Sequence, residues 1–381
     1  MGDQIPNDSA KSEVCYIHKL SVKWPKFSKY DCNEYLDPDT KAAVINASSS
    51  VTALISFSGG VKLTRGSGTI IERHDDSIIV LTSTNLIRRS TSRKSRRPTS
   101  QEFGRNKLAR DITVHAHLCD SEVYRGGEVY AHDFDFNLAI IRFSSIPSSG
   151  AAKVAKIASI DDSLILGDRV IVMGRYFAEP FEPMAAPGDY RLKKISYDCK
   201  QLFTTNCKIT RCGDGGPLIN SLGELIGIAF FDPFSTPCLP INIAYKWWDH
   251  CKEYGKFCRP FLGFEAMSLF AADIGLIERV IHNFPDAHKG LVVEKIVPDS
   301  PAYLAGLRVH DVIVKCDGKP VQSFLELFEI LLEKVGVLVE LSLIRAGHDT
   351  HTQLNIVFVE ATSAQFNRWP VHKERVLIRY A

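Results

Sequence analysis

No stretch of the 381 residues approaches the ~18 consecutive apolar residues a membrane-spanning helix needs, so no membrane partner is expected. Neither sign of charge is in excess. Forty-six Lys+Arg against 44 Asp+Glu leave a formal +2, and net charge alone implies no polyanionic partner. The opening residues, MGDQIPNDSAKSEVCYIHKL, contain acids and no apolar run, unlike a secretory leader, and are too poor in Arg for an organellar one. The ten cysteines, at positions 15, 32, 119, 199, 207, 212, 238, 251, 258 and 316, form no CxxC pair and no framework spacing. They read as reduced intracellular thiols, mostly small buried hydrophobes, in a protein of the nucleus or cytoplasm. The His115-Ala116-His117 pair has no third or fourth ligand nearby, so no metal and no cofactor are expected.

What is present is an ordinary globular composition, 45% apolar and 24% charged. At about 100–200 residues per domain, the length predicts two domains or three. Residues 1–44 are polar and punctuated by Pro6, Pro25 and Pro38, and read as an irregular extension. From 45 to 254 short β-type runs alternate with turn signals: Val51–Phe57, Gly68–Ile71 leading into Ile78–Thr82, Leu138–Phe143, Arg169–Met173 and Leu225–Phe231. Such a series predicts a barrel or sandwich, closed by a helix at Ile243–Tyr254. Residues 255–362 change rhythm after Arg259-Pro260. Strands are expected at Leu291–Ile296, Asp311–Cys316 and Leu338–Ile344, with helices at Pro301–Ala305 and Ser323–Lys334. In the longer helix Phe324, Leu327, Phe328 and Leu331 share one face. Residues 363–381 form a tail of mixed character.

The string Arg211–Ile228, RCGDGGPLINSLGELIGI, resembles the nucleophile region of chymotrypsin-like serine proteases, and its continuation resembles the Deg/HtrA family. Gly66-Ser67-Gly68-Thr69 followed by Val80–Ile87 is similar to the strands leading to the histidine base, and Asn137–Ile141 to the strand that begins with the orienting aspartate. The resemblance implies a mainly β fold, a chymotrypsin-like double β-barrel. It puts the base at Asn85, the carboxylate at Asn137, the nucleophile at Asp214 and the oxyanion loop at Cys212 and Gly213. A one-residue deletion would give the same Gly-Asp-Gly-Gly-Pro string; either route leaves no serine. An amide cannot accept a proton near neutrality, so Asn85 supplies no base. Asn137 cannot stabilise an imidazolium, and an ionised Asp214 would repel a developing oxyanion. The triad acting as a unit is worth roughly 10⁶-fold in rate, so an inactive protease fold is expected, similar to degenerate plant members. Cys212, two positions early, is not expected to replace the nucleophile. His74, His115, His117 and His132, read as loop residues, are weak candidates for a substitute base.

Phe261-Leu262-Gly263-Phe264, Gly290–Val293, Pro298–Ala302, Ala305–Leu307, Asp311–Ile313 and Asp317–Val321 together resemble the α+β PDZ domain that follows the protease domain in that family. The resemblance implies that Phe261–Phe264 present backbone N–H groups to a peptide's C-terminal carboxylate, and that the next strand pairs with the peptide. The partners implied are peptides or protein C-termini, with a homo-oligomer, a trimer, by the same resemblance. Arg88–Arg110 holds nine Lys/Arg and one acid, Glu102, in a Ser/Thr-rich stretch. It reads as a solvated loop, with an import signal or a polyanion contact as alternatives. With Phe103 its only aromatic, any nucleic-acid contact would be to phosphate, and nucleic acid is the disfavoured partner.

Overall fold

The computed structural model describes residues 36–89, 107–118, 122–146, 152–159, 167–191, 199, 201–232, 235–272, 274–285, 289–345 and 352–362. Most of the expected N-terminal extension, most of the 88–110 loop and the 363–381 tail lie outside the described residues.

Six strands, β1 (Val51–Ser58), β2 (Val61–His74), β3 (Ser77–Ser83), β4 (Ile112–His117), β5 (Val123–Asp133) and β6 (Leu138–Ser144), close into a barrel in the order β1-β2-β3-β6-β5-β4. Six more, β7 (Arg169–Arg175), β8 (Pro183–Arg191), β9 (Phe203–Thr205), β10 (Pro217–Ile219), β11 (Leu225–Ala229) and β12 (Thr236–Pro240), close into a second, in the order β10-β11-β12-β9-β8-β7. The expected mainly β, chymotrypsin-like double barrel is therefore what the chain forms.

The apolar run of β3 shows why it forms a buried strand. Successive side chains alternate faces: Ile78 and Val80 enter the barrel core with Leu54, Ile141 and Phe143. Ile79 and Leu81 point the other way, into a cluster with Trp247 and Trp248. These tryptophans belong to the closing helix, Ile241–Tyr254. A helix also precedes the first barrel. α1 (Pro38–Ser48) buries Thr40, Ala43, Val44 and Ala47, so the expected boundary at residue 44 falls inside a helix. No helix among the described residues is long and apolar enough to cross a membrane.

The closing helix is α2. After it come β13 (Pro260–Phe261), β14 (Phe264–Ser268), α3 (Ile274–Asn283), β15 (Leu291–Ile296), α4 (Pro301–Leu304), β16 (Val312–Cys316), β17 (Lys319–Pro320), α5 (Phe324–Leu332), β18 (Leu338–Ile344), β19 (Thr352–Val357) and β20 (Val359–Glu360). Its main sheet runs β14-β15-β16-β18-β19, with β17 paired to β16. Every strand and helix expected here is present. The sequence reading missed α3, whose Leu276, Ile277 and Val280 pack on the sheet.

The two halves share one hydrophobic cluster, running from Leu81, Leu138 and Trp247 through Phe136 to Leu262, Phe264, Phe328 and Leu341. Arg259 sits at that joint, buried, paired with Asp133 and, at 2.6 Å, with Asp135. Its guanidinium lies 4.4 Å from the Phe136 ring centroid and 5.0 Å from that of Phe257. Asp133 and Asp135 together keep this buried guanidinium charged, against the opposing effect of burial.

Candidate functional site: an altered catalytic frame and a peptide groove

Strand pairing brings the three triad positions together. β3 and β6 run antiparallel with Ser83 opposite Leu138, so the residues just beyond β3 meet those just before β6. Asn85 sits in a short turn, Thr84–Leu86, whose backbone N–H bonds to Ser83 Oγ at 3.1 Å. Asn137 is fully buried in the left-handed region, φ 58°, which asparagine tolerates better than most residues. Its carbonyl accepts from Thr84 N at 3.1 Å, and its side-chain oxygen accepts from the Thr84 hydroxyl at 2.5 Å. Asn137 Nδ2 is buried without a partner among the described residues. An aspartate would have no donor there to leave unpaired.

The second barrel supplies Asp214. Its carboxylate Oδ2 accepts from Asn85 Nδ2 at 3.1 Å, and Oδ1 accepts from Phe231 N at 3.1 Å. That contact joins the two positions that the resemblance assigns to base and nucleophile. The loop is fixed from the GSG strand: Ser67 N donates to Asp214 O at 2.8 Å and Ser67 Oγ to Cys212 O at 2.6 Å. Gly215 follows at φ 77°, where a Cβ would lie 2.5 Å from Thr82 Oγ1, so only glycine fits. Burial raises the Asp214 pKa, opposed by the Phe231 and Asn85 donors, Arg211 and Arg88.

Arg88 belongs to this site, although the sequence reading assigned it to the basic loop. It donates from Nη2 to Thr84 Oγ1 at 3.1 Å and lies 4.9 Å from the Phe134 ring centroid. Burial pulls its pKa down to about 10, against the opposing pull of Asp214. The signal that could have marked it is the short spacing from Asn85, one helical turn along the chain.

The oxyanion loop is closed on itself. Arg211–Gly213 form a 3₁₀ turn in which Cys212 N donates to Thr210 Oγ1 at 3.2 Å, Gly213 N to Thr210 O at 3.0 Å and Asp214 N to Arg211 O at 3.3 Å. Donors turned inward cannot receive a developing oxyanion. Cys212 packs against the second barrel's core with Cys207 and Cys238. The four histidines are on strands rather than loops: His74 ends β2, His115 and His117 lie in β4 and His132 in β5. Among the described residues none of them hydrogen-bonds to Asn85, Asn137 or Asp214.

The second half presents a different surface. β14 is an edge strand, paired with β15 alone in the main sheet, and α5 packs alongside it. Ser268 Oγ donates to Gln322 O at 3.0 Å, tying the end of β14 to the start of α5. At the other end Phe261 pairs with Val359, and Leu262 and Phe264 are buried. Gly263 has φ 72°, and a Cβ there would lie 2.3 Å from Ser300 Cβ. Its carbonyl accepts from Val297 N at 2.8 Å and from Ser300 Oγ at 3.1 Å. Among the described residues the N–H groups of Leu262 and Gly263 have no backbone acceptor. A loop with spare donors beside an open strand edge suits a carboxylate followed by an extended chain.

A trypsin-like peptidase domain family matches residues 66–228, and a PDZ domain family matches residues 292–345. Putative protease Do-like 14 of Arabidopsis thaliana is 27% identical over 361 residues, covering 90% of this chain and 76% of that protein. Serine protease Do-like HtrB of Bacillus subtilis is 27% identical over 300 residues, covering 74% of this chain; the chain spans 59% of that relative's length. The solved structure of the HtrA-type protease AlgW with a tripeptide superposes with a TM-score of 0.58 at 18% identity, covering 85% of this chain and 98% of that one. This last likeness is one of fold.

Proposed function

We propose that this chain, a homologue of the Deg/HtrA proteases that carries a trypsin-like peptidase domain and a PDZ domain, no longer cuts peptides and binds their C-termini through the PDZ domain as an adaptor, chaperone or regulator. The observation that carries this reading is the Asn85–Asp214 hydrogen bond. The base position donates to the nucleophile position instead of accepting from it, the reverse of the proton flow that acyl transfer requires. The inward-turned N–H groups of residues 212–214 support the same reading.

Digestion of denatured casein by the full-length protein, with Asp214→Ala alongside, tests it. Neither should cleave. Cleavage by the wild type and not by the variant would overturn the proposal and assign Asp214 to an unfamiliar chemistry. For the binding half, peptides with free apolar C-termini should bind the full chain and their amidated forms should bind more weakly. Equal binding would refute carboxylate capture.

From the cysteine pattern we also propose an intracellular protein, in nucleus or cytoplasm; Cys199, Cys207, Cys238 and Cys316 are buried and free. A fluorescent fusion tests this. By resemblance to HtrA-type relatives we also propose a homo-oligomer, a trimer, which sedimentation of the full-length protein checks.

A further inference from the structure

The outer face of the first barrel carries a group of side chains that neither the altered triad nor the groove uses. Strand register sets Arg65, Ile55 and His115 in one row across β2, β1 and β4, since Ile55 faces Arg65 on one side and His115 on the other. Directly opposed residues share a face, and the alternate positions Leu54, Val114 and Ala116 fill the barrel interior. Arg125, exposed, continues the row on β5 beside the bulge between Val114 and Ala116. Phe57 and His117 extend the face along β1 and β4, and a segment of the second barrel, Phe177–Phe181, borders it. His117 stacks on Phe181 with centroids 4.2 Å apart, Phe57 meets His115 at 4.6 Å, and Arg65 lies 5.6 Å from the Phe177 centroid.

The fixed charge here is mostly positive, with Glu179 on the bordering segment set against it. Lys62, Arg65 and Arg125 are all exposed, and among the described residues none of them has a carboxylate within ion-pair distance. Burial and then Arg125 lower the His115 pKa. Burial, His115 and Arg125 lower that of His117, with Glu179 opposing. Three exposed cations set against Glu179 leave an excess of positive charge among the described residues, which favours an anionic partner. The rings decide between two kinds of anion. Phe57 and His115 already contact one another, as do His117 and Phe181, and Arg65 lies over Phe177. That leaves little for nucleobases to stack on, while Ile55 and Leu63 add half-buried aliphatic surface between the charges.

We propose that this face, centred on Arg65, His115 and Arg125, docks an acidic peptide segment that also carries apolar side chains, at a site separate from the PDZ groove. The probe is a short, labelled peptide of alternating Glu and Leu, acetylated and amidated so that it offers no terminal carboxylate to Gly263. Fluorescence anisotropy with the full chain should show saturable binding that weakens as salt rises. Arg65→Gln with Arg125→Gln should weaken it about tenfold or more, the equivalent of ~1.4 kcal/mol. The same double variant should bind a free apolar C-terminal peptide as the wild type does, which shows that it is folded. Equal affinity of wild type and double variant for the acidic probe would overturn the proposal. So would displacement of that probe by oligothymidylate at lower concentration than by unlabelled peptide, which would identify a nucleic-acid surface. A loss of self-association in the double variant would assign the face to a second copy and overturn it as well.

Discussion

The peptidase half and the PDZ half both keep the backbone of a peptide-handling site, and they differ in where their polar groups point. Around Asn85 and Asp214 the donors and acceptors have turned towards one another: Asn85 to Asp214, Asp214 to Phe231, and the 212–214 amides to their own loop, with Asn137 Nδ2 alone of the three side chains left unpaired among the described residues. Around Gly263 the carbonyl is tied down, while among the described residues the N–H groups of Leu262 and Gly263 have no backbone acceptor beside an open strand edge. A site whose polar groups are satisfied internally gains stability and loses its pull on a ligand. A site that leaves donors without acceptors forgoes that stability and can be repaid by a ligand's acceptors. On the proposed function, a silent catalytic frame and a working groove are two settings of the same physical variable.

The comparison is tested most severely by attempting to rebuild the weaker site. Asn85→His, Asn137→Asp and Asp214→Ser together restore the triad's chemistry, yet casein turnover should stay at least about 10²-fold below that of a Deg/HtrA protease, because one missing oxyanion donor alone costs that much. Asp214→Ser by itself should give no turnover above background, since the base, worth much of the triad's roughly 10⁶-fold, is still absent. Casein cleavage by that single variant at a family-like rate would break the comparison.

Next in size is the joint. Arg259→Ala leaves Asp133 and Asp135 as buried carboxylates without their cation, and denaturant unfolding should show a loss of about 3–5 kcal/mol. At the groove, Gly263→Ala forces a Cβ against Ser300 and a side chain into φ 72°. Titration of a labelled apolar C-terminal peptide should show at least about a tenfold loss of affinity, with the amidated peptide already weak and little changed. The smallest effect concerns acid. Because the folded-state pKa of Asp214 is raised, the folded chain holds that proton where the unfolded chain has released it. This group's share of stability is therefore present below the ordinary carboxylate pKa and is lost as pH rises through the raised value. Asp214→Asn should flatten that part of a stability-against-pH curve; an unchanged slope would show that Asp214 titrates normally.

Most of the architecture was legible in the sequence because it is written in short-range terms. Runs such as Ile78–Thr82 and Leu138–Phe143 have a period that a strand must obey, and the Gly-Gly-Pro frame fixes a turn that other residues cannot make. The positions Asn85, Asn137 and Asp214 were read from the resemblance of the motifs around them rather than from any strand period. What escaped depends on contacts between distant residues. Arg88 reads as the first charge of a basic loop until Thr84 and Asp214 are seen beside it. Arg259 reads as a boundary marker until Asp133, 126 positions earlier, is found holding it. α3 escaped because the apolar residues Leu276, Ile277 and Val280 take their meaning from the sheet they cover.

Phe136 gives the persistence of the catalytic frame a reason unrelated to catalysis. It immediately precedes Asn137, and its ring meets Phe257 at 5.6 Å and Phe328 at 6.1 Å, the latter on the helix that lines the groove. The loop before Asn137 is thus also the keystone between the two modules. A change at this loop would be felt at once as a failure of the whole molecule to assemble, whatever chemistry the neighbouring positions perform.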